Sequence, residues 1–190
     1  MMKKFVVAFA ASLLLSTAAA NAESYVSLLG GPTWAPNLNV AGTKRAMDTG
    51  FNFGARYGIT LDGMNLPNLA LEADALFNRS HFTGTNAGRI ESTSGMANLV
   101  YRAPLSGPWS LYGGAGLGAV NTNFDNNVGN HGGSTVLGWQ ALGGLEYRAS
   151  ETASLFAEYR YQNARNVNAG GITGIGNTSN NLSMGVKFHM

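Results

Sequence analysis

The segment Asn181 to Met190 reads Asn-Leu-Ser-Met-Gly-Val-Lys-Phe-His-Met, and its strict period of two constrains this chain more than any other feature. Leu182, Met184, Val186, Phe188 and Met190 fall on one side, and Ser183, Gly185, Lys187 and His189 on the other. Side chains alternate across a strand, whereas a helix needs a period near 3.6. The segment is therefore a β-strand with one apolar and one polar face.

The same pattern recurs along the chain. Tyr25 to Gly31 reads as a first strand whose facing is ambiguous. Phe51, Phe53, Ala55, Tyr57 and Ile59 alternate with Asn52, Gly54, Arg56 and Gly58. Leu69, Leu71, Ala73, Ala75 and Phe77 oppose Glu72, Asp74 and Asn78. A weaker fourth strand sets Ala97, Leu99 and Tyr101 against Met96, Asn98 and Val100. Trp109 to Val120 sets Leu111, Ala115, Leu117 and Ala119 against Tyr112, Gly114, Gly116 and Gly118. Trp139, Ala141, Leu145 and Tyr147 oppose Gln140, Glu146 and Arg148, and Leu155, Ala157, Tyr159 and Tyr161 oppose Glu158, Arg160 and Gln162. With the terminal segment these make eight strands. Polar connections are expected over Pro32–Asp48, Arg79–Glu91, Asn121–Ser134 and Gln162–Asn180, alternating with short turns. That alternation predicts an all-β fold, an eight-stranded antiparallel up-and-down barrel with its long loops at one end.

Residues 1–22 stand outside that pattern. Lys3 and Lys4 precede an apolar run from Phe5 to Leu15, and Ala20-Asn21-Ala22 fits a small-x-small cleavage site. This is the form of a secretory signal peptide cut before Glu23, leaving residues 23–190 as one barrel domain. Two of the 12 basic residues lie in that leader, so the remainder balances the 10 acidic residues and gives no basis for nucleic-acid binding. The chain has no cysteine, which excludes disulfides and thiol chemistry.

Alternation does not say which face points out. Three features make this a transmembrane barrel with its apolar face toward lipid. That face carries no charged residue on the last seven strands, and an Arg or Lys at mid-bilayer costs about 2–4 kcal/mol. The polar face is rich in glycine, as a narrow interior requires. The aromatics also sort by level. Tyr57, Tyr101, Tyr147 and Phe188 lie toward the turn end, and Phe51, Phe77, Trp139 and Tyr161 toward the loop end, giving two interfacial girdles.

Several segments together carry a family resemblance. These are Tyr25-Val26 with Gly30-Gly31, Asn98-Leu99-Val100-Tyr101, the Gly113–Gly118 run, Gly143-Gly144-Leu145-Glu146-Tyr147-Arg148, Glu158-Tyr159-Arg160-Tyr161 and the terminal strand. Over residues 23–190 the chain resembles small eight-stranded outer-membrane barrels of Gram-negative bacteria, the opacity-protein or porin-like superfamily. The resemblance implies an outer-membrane location, contact with outer-membrane lipids and lipopolysaccharide, and insertion by the barrel-assembly machinery. Such barrels usually end in an aromatic residue; here Phe188 is followed by His189 and Met190.

The candidate site is the set of inward charges: Arg56, Glu72, Asp74, Glu146, Arg148, Glu158, Arg160 and Lys187. Arg56 is expected to face Glu72 and Asp74, and Lys187 to neighbour Glu158 and Arg160. An eight-stranded barrel has room only for side chains, so these charges read as a paired plug rather than an ion path. His81 and His131 are expected in outer loops and His189 at the inner rim, without metal-ligand spacing, and neither cofactor nor metal is expected. Lipid-A-modifying barrels resemble this fold but carry a His–Ser pair with an acidic partner on the lipid-facing wall. The apolar face here has neither residue, so no enzyme is expected. The expected role is structural or surface-interacting, in membrane integrity, adhesion or immune exposure, for a monomer whose loops meet a host or surface ligand. The alternative is a narrow channel for small solutes; a haem-binding surface role ranks lower.

Overall fold

The structure, a computed structural model, describes residues 23–34, 38–40, 43–45, 48–81, 89–126, 130–169 and 172–190. The leader expected over residues 1–22 lies outside them. Eight long strands follow in order: β1 (Ser24–Trp34), β2 (Gly50–Thr60), β3 (Leu69–His81), β4 (Arg89–Pro104), β5 (Trp109–Asn126), β6 (Asn130–Arg148), β7 (Ala153–Ala169) and β8 (Ile172–His189). Each pairs antiparallel with its sequence neighbours. β8 returns to β1 from Tyr25–His189 to Trp34–Asn180, which closes the barrel. The backbone N–H of Met190 extends that seam by donating to the carbonyl of Ser24 at 2.9 Å. A small hairpin, Leu38–Val40 with Thr43–Arg45, sits in the β1–β2 connection. The β2–β3 turn contains one 3-10 turn, Asp62–Met64.

The faces are inverted relative to a water-soluble barrel. Outward-pointing Leu117, Leu137 and Met184 are 71%, 68% and 70% exposed, while Arg160, Glu158 and Gln140 point inward and are at most 1% exposed. A barrel in lipid must be built this way, because closure satisfies every wall hydrogen bond and hydrocarbon receives the apolar face. The interior is not uniformly polar. Leu29, Leu76, Val100, Tyr112, Leu142 and Phe156 form an inward apolar cluster, and Met96, Val120 and Ala164 form a second. All eight girdle aromatics lie on the outward face: Phe51, Tyr57, Tyr101, Trp139, Tyr147 and Phe188 are exposed, and Phe77 and Tyr161 are half-buried. The Trp139 and Tyr161 rings meet at a tilt with centroids 5.4 Å apart, and those of Phe53 and Phe77 do so at 5.2 Å.

The strands run further outward than the hydrophobic pattern does. Much of what reads as polar connection over 79–91, 121–134 and 162–180 is ladder: β3 and β4 pair to His81–Arg89, β5 and β6 to Asn126–Asn130, and β7 and β8 to Ile172–Ala169. His81 and His131 accordingly lie in strands and not in loops. Above the lipid both faces meet polar surroundings, so alternation of apolar residues stops while backbone pairing continues. The outward residues there are Thr93, Asn121, Asn123 and Thr135, and Asn121 donates to Thr135 Oγ1 at 2.8 Å.

This geometry separates two exposed positions on β4. Ala97→Arg places a charge in the apolar wall and should cost about 2–4 kcal/mol, whereas Thr93→Arg, in the polar extension, should cost at most about 1 kcal/mol. Denaturant unfolding in lipid vesicles measures both.

Candidate functional site

The interior is organised by one chain of ion pairs that alternates in sign throughout. Lys187 (β8) bonds Glu146 (β6) through Nζ and Oε2. Glu146 Oε2 lies 3.6 Å from Arg102 Nε (β4), and Arg102 Nη2 lies 3.0 Å from Glu72 Oε1 (β3). Glu72 Oε2 is 3.2 Å from Arg56 Nε (β2), and Arg56 Nη2 reaches both carboxylate oxygens of Glu158 (β7), at 2.9 and 2.8 Å. Glu158 Oε1 accepts from Arg160 Nη2 at 2.8 Å, and Arg160 Nη1 ends the chain 3.2 Å from Asp74 Oδ2. Four cations and four anions cancel.

The two strands that supply no charge supply tyrosines. Tyr25 (β1) donates its hydroxyl to Glu72 at 2.5 Å and accepts from Arg102 at 2.6 Å. Tyr112 (β5) donates to Glu158 at 3.1 Å. Every strand thus has a side chain in one network. Glycine makes the space: a Cβ on Gly58 would collide with the Tyr25 ring, and one on Gly144 would come within 2.6 Å of the Tyr112 ring. Toward the outer end a neutral layer takes over. Gln140 donates to Asp74 at 3.0 Å and to Asn98 at 2.6 Å, Asn98 donates to Asp74 at 2.8 Å, and Gln162 donates to Ser94 at 3.0 Å.

Seven of the eight inward charges named from sequence meet in this network. Arg148 does not. It shares a face with Glu146 but occupies the last β6–β7 pair, opposite Ser154, where the barrel mouth is open. It is exposed and donates to the Glu151 carbonyl at 3.3 Å. The partner expected for Lys187 is also corrected. The register sets Lys187 opposite Ser154 and Glu158 opposite Ser183, four residues apart on β7 or roughly 13 Å along the strand. Lys187 therefore reaches Glu146, and Glu158 belongs to Arg56 and Arg160. The reading by residue pattern missed Arg102, which falls on the face of Asn98 and Val100 but beyond the boundary drawn at Tyr101. It also left Tyr25 unassigned.

At the turn end the chain opens into a cavity of about 240 Å³ lined by Tyr25, Asp62, Arg102, Glu146, Arg148 and His189 among others. Here Ser154 Oγ lies 2.9 Å from His189 Nε2, and Glu146 Oε1 lies 3.9 Å from that same nitrogen. A Ser–His–acid catalytic arrangement places serine and acid on opposite ring nitrogens. With both on Nε2, and Ser154 wholly buried, this trio is a hydrogen-bond cluster and not a nucleophilic site.

Comparison with known proteins agrees with this architecture. A family model described as the outer membrane protein beta-barrel domain matches residues 5–188. Among solved structures the chain is similar to Neisserial surface protein A, at 20% identity and a TM-score of 0.65 over 87% of this chain and 96% of that one. OprG from Pseudomonas aeruginosa matches at 14% identity and 0.55, over 88% and 96%. Ail, the attachment invasion locus protein of Yersinia pestis, in complex with the heparin analogue sucrose octasulfate, matches at 18% identity and 0.52, over 89% and 99%. At these identities the likeness is one of fold. No curated protein matches.

Removing one member of the network should cost more than removing a pair. Lys187→Met, which leaves Glu146 short of its nearest cation, should destabilise the barrel by about 3–5 kcal/mol, and Glu146→Gln added to it should restore much of that loss. A double-mutant cycle in denaturant reads this directly. An additive pair would mean that the two residues are not coupled.

Proposed function

We propose, from the premise that the chain belongs to the outer membrane protein β-barrel family, that it is a monomeric, non-conducting scaffold of the Gram-negative outer membrane whose outward end makes surface contacts. The observation that carries this reading is the alternating chain of eight charges across the lumen. Arg56, Glu72, Asp74, Glu146, Glu158, Arg160 and Lys187, with Arg102, act in it as a structural plug. Each charge has an opposite partner, as burial demands. A solute crossing the barrel would have to break several of these pairs, and an unpaired buried charge costs several kcal/mol.

The remaining roles follow from position. Residues 1–22 direct export and are removed. The aromatic girdles hold the wall at the two membrane surfaces. The barrel-assembly machinery inserts the barrel into the outer membrane. The outer hairpins, raised above the wall by the strand extensions, present ligand-contacting surface on a rigid base, where binding residues usually reside. The role is adhesion or another surface interaction, and the interior takes no part in it.

Two measurements check this reading. In planar bilayers the protein should show no stable, sizeable openings; such openings would favour the narrow-channel alternative. Shortening the four outer connections should abolish binding to whole cells while the barrel stays folded, as judged by heat-modifiable migration on gels. Undiminished binding would move the contact surface elsewhere.

A further inference from the structure

Among the described residues, both strands outrun their shared ladder at the β6–β7 junction, whereas at β8–β1 only β8 does, running on from Asn180 to Ile172. The β6–β7 ladder ends at Gly138–Ala164, yet β6 runs outward to Asn130 and β7 to Ala169. Beyond that point each strand keeps a single neighbour: β6 pairs with β5 up to Asn126–Asn130, and β7 with β8 up to Ile172–Ala169. Among the described residues no pairing bridges 130–137 and 165–169. The result is a notch between two hairpins, with open strand edges facing each other.

The notch opens where the apolar wall ends. On β6 the outward side chains change from Trp139 and Leu137 to Thr135; on β7 they change from Tyr161 to Asn163 and Arg165. Its sill is the Trp139–Tyr161 ring pair. Asn163 donates to the Tyr161 hydroxyl at 3.4 Å and to Thr178 Oγ1 at 2.9 Å. Arg165 stands exposed on the β7 side, across from the exposed Leu137 on the β6 side. The opposite face of the girdle has different chemistry. There Phe51 stacks on Phe53, Phe77 meets both rings at a tilt, and Arg79 is paired with Glu91 at 3.5 Å.

Open backbone N–H and C=O groups cannot face hydrocarbon, and exposed edges are normally covered or guarded. At this level of the outer membrane the surroundings are lipid headgroups. The occupant must offer several hydroxyls to two strand edges, a ring face to Trp139 and Tyr161, an anion to Arg165 and alkyl chains to Leu137 and the wall below. A glycerophospholipid supplies the anion and the chains but few donors. A phosphorylated, acylated sugar supplies all four. We propose that the β6–β7 notch seats the headgroup of one outer-leaflet glycolipid of the lipopolysaccharide class, with Arg165 on a phosphate and the Trp139–Tyr161 pair under a sugar ring. This rests on the outer-membrane reading above but not on whether the lumen conducts.

The test is native mass spectrometry of the full-length mature protein released from phospholipid nanodiscs doped with a bis-phosphorylated, acylated glucosamine disaccharide. The wild type should retain one glycolipid at a mole fraction where phosphatidylglycerol is not retained. Arg165→Gln should lower retention about tenfold, as loss of one charge-assisted contact does. That difference should vanish with the dephosphorylated glycolipid. Arg79→Gln, on the phenylalanine face, is the control and should retain as the wild type does. Equal retention of phosphatidylglycerol, or an equal loss from Arg79→Gln, would overturn the site. Failure of the protein to enter the bilayer at all would instead count against the outer-membrane reading itself.

Discussion

Glu158 is the point on which the interior depends. Its two oxygens take Arg56, Arg160 and the Tyr112 hydroxyl, which bring together β2, β5 and β7 from across the lumen. A membrane barrel turns its apolar face to hydrocarbon, so hydrophobic packing fills only part of its interior, here the two inward apolar clusters. What remains is to neutralise polar groups against each other in a space from which water is largely excluded. Alternation of sign along the chain achieves this with no charge left over. It also makes the arrangement selective for register. Sliding a strand by one residue would turn its charge into the lipid and its leucines into the lumen.

Wall and interior are therefore two readings of the same period. On β3, Leu71, Ala73 and Ala75 point outward while Glu72, Asp74 and Leu76 point inward. The interior member sets how much space its neighbours need, and the glycines answer that need. Tyr25 projects across to Glu72 because Gly58 offers no side chain in its way. The small residues of the lumen face are thus part of the same network as the large ones.

Most of the barrel is legible in the sequence because hydrocarbon imposes a strict rule on each strand it touches. The strand count, the antiparallel order and the outward apolar face all come from that rule. Where the rule lapses, legibility lapses with it. β4 from Arg89 to Gly95 and β6 from Asn130 to Val136 continue as strands, but their Ser, Thr, Asn and Gly residues carry no period. The inward charges are visible one strand at a time, and their pairing is not. Lys187 and Glu146 lie 41 positions apart on strands separated by β7, so only the closed geometry brings them together. Arg102 shows a further limit. Its face is readable by parity from Asn98, but Ala103 and Pro104 suggest a turn, and the strand runs through both.

The same reasoning sorts the molecule by how much chemical identity each zone requires. The wall needs residues that are apolar and little else, so many substitutions between Leu, Val, Ile and Met satisfy it. The lumen needs complementary pairs, so a change there must be matched across strands that are distant in sequence. Both requirements are met inside the ladder, where the backbone is fully paired. At the β6–β7 junction the ladder stops while the strands go on, and among the described residues no pairing joins 130–137 to 165–169. The buried charges are paired with one another inside the barrel, while Thr and Asn side chains and strand edges at the outer rim face polar surroundings.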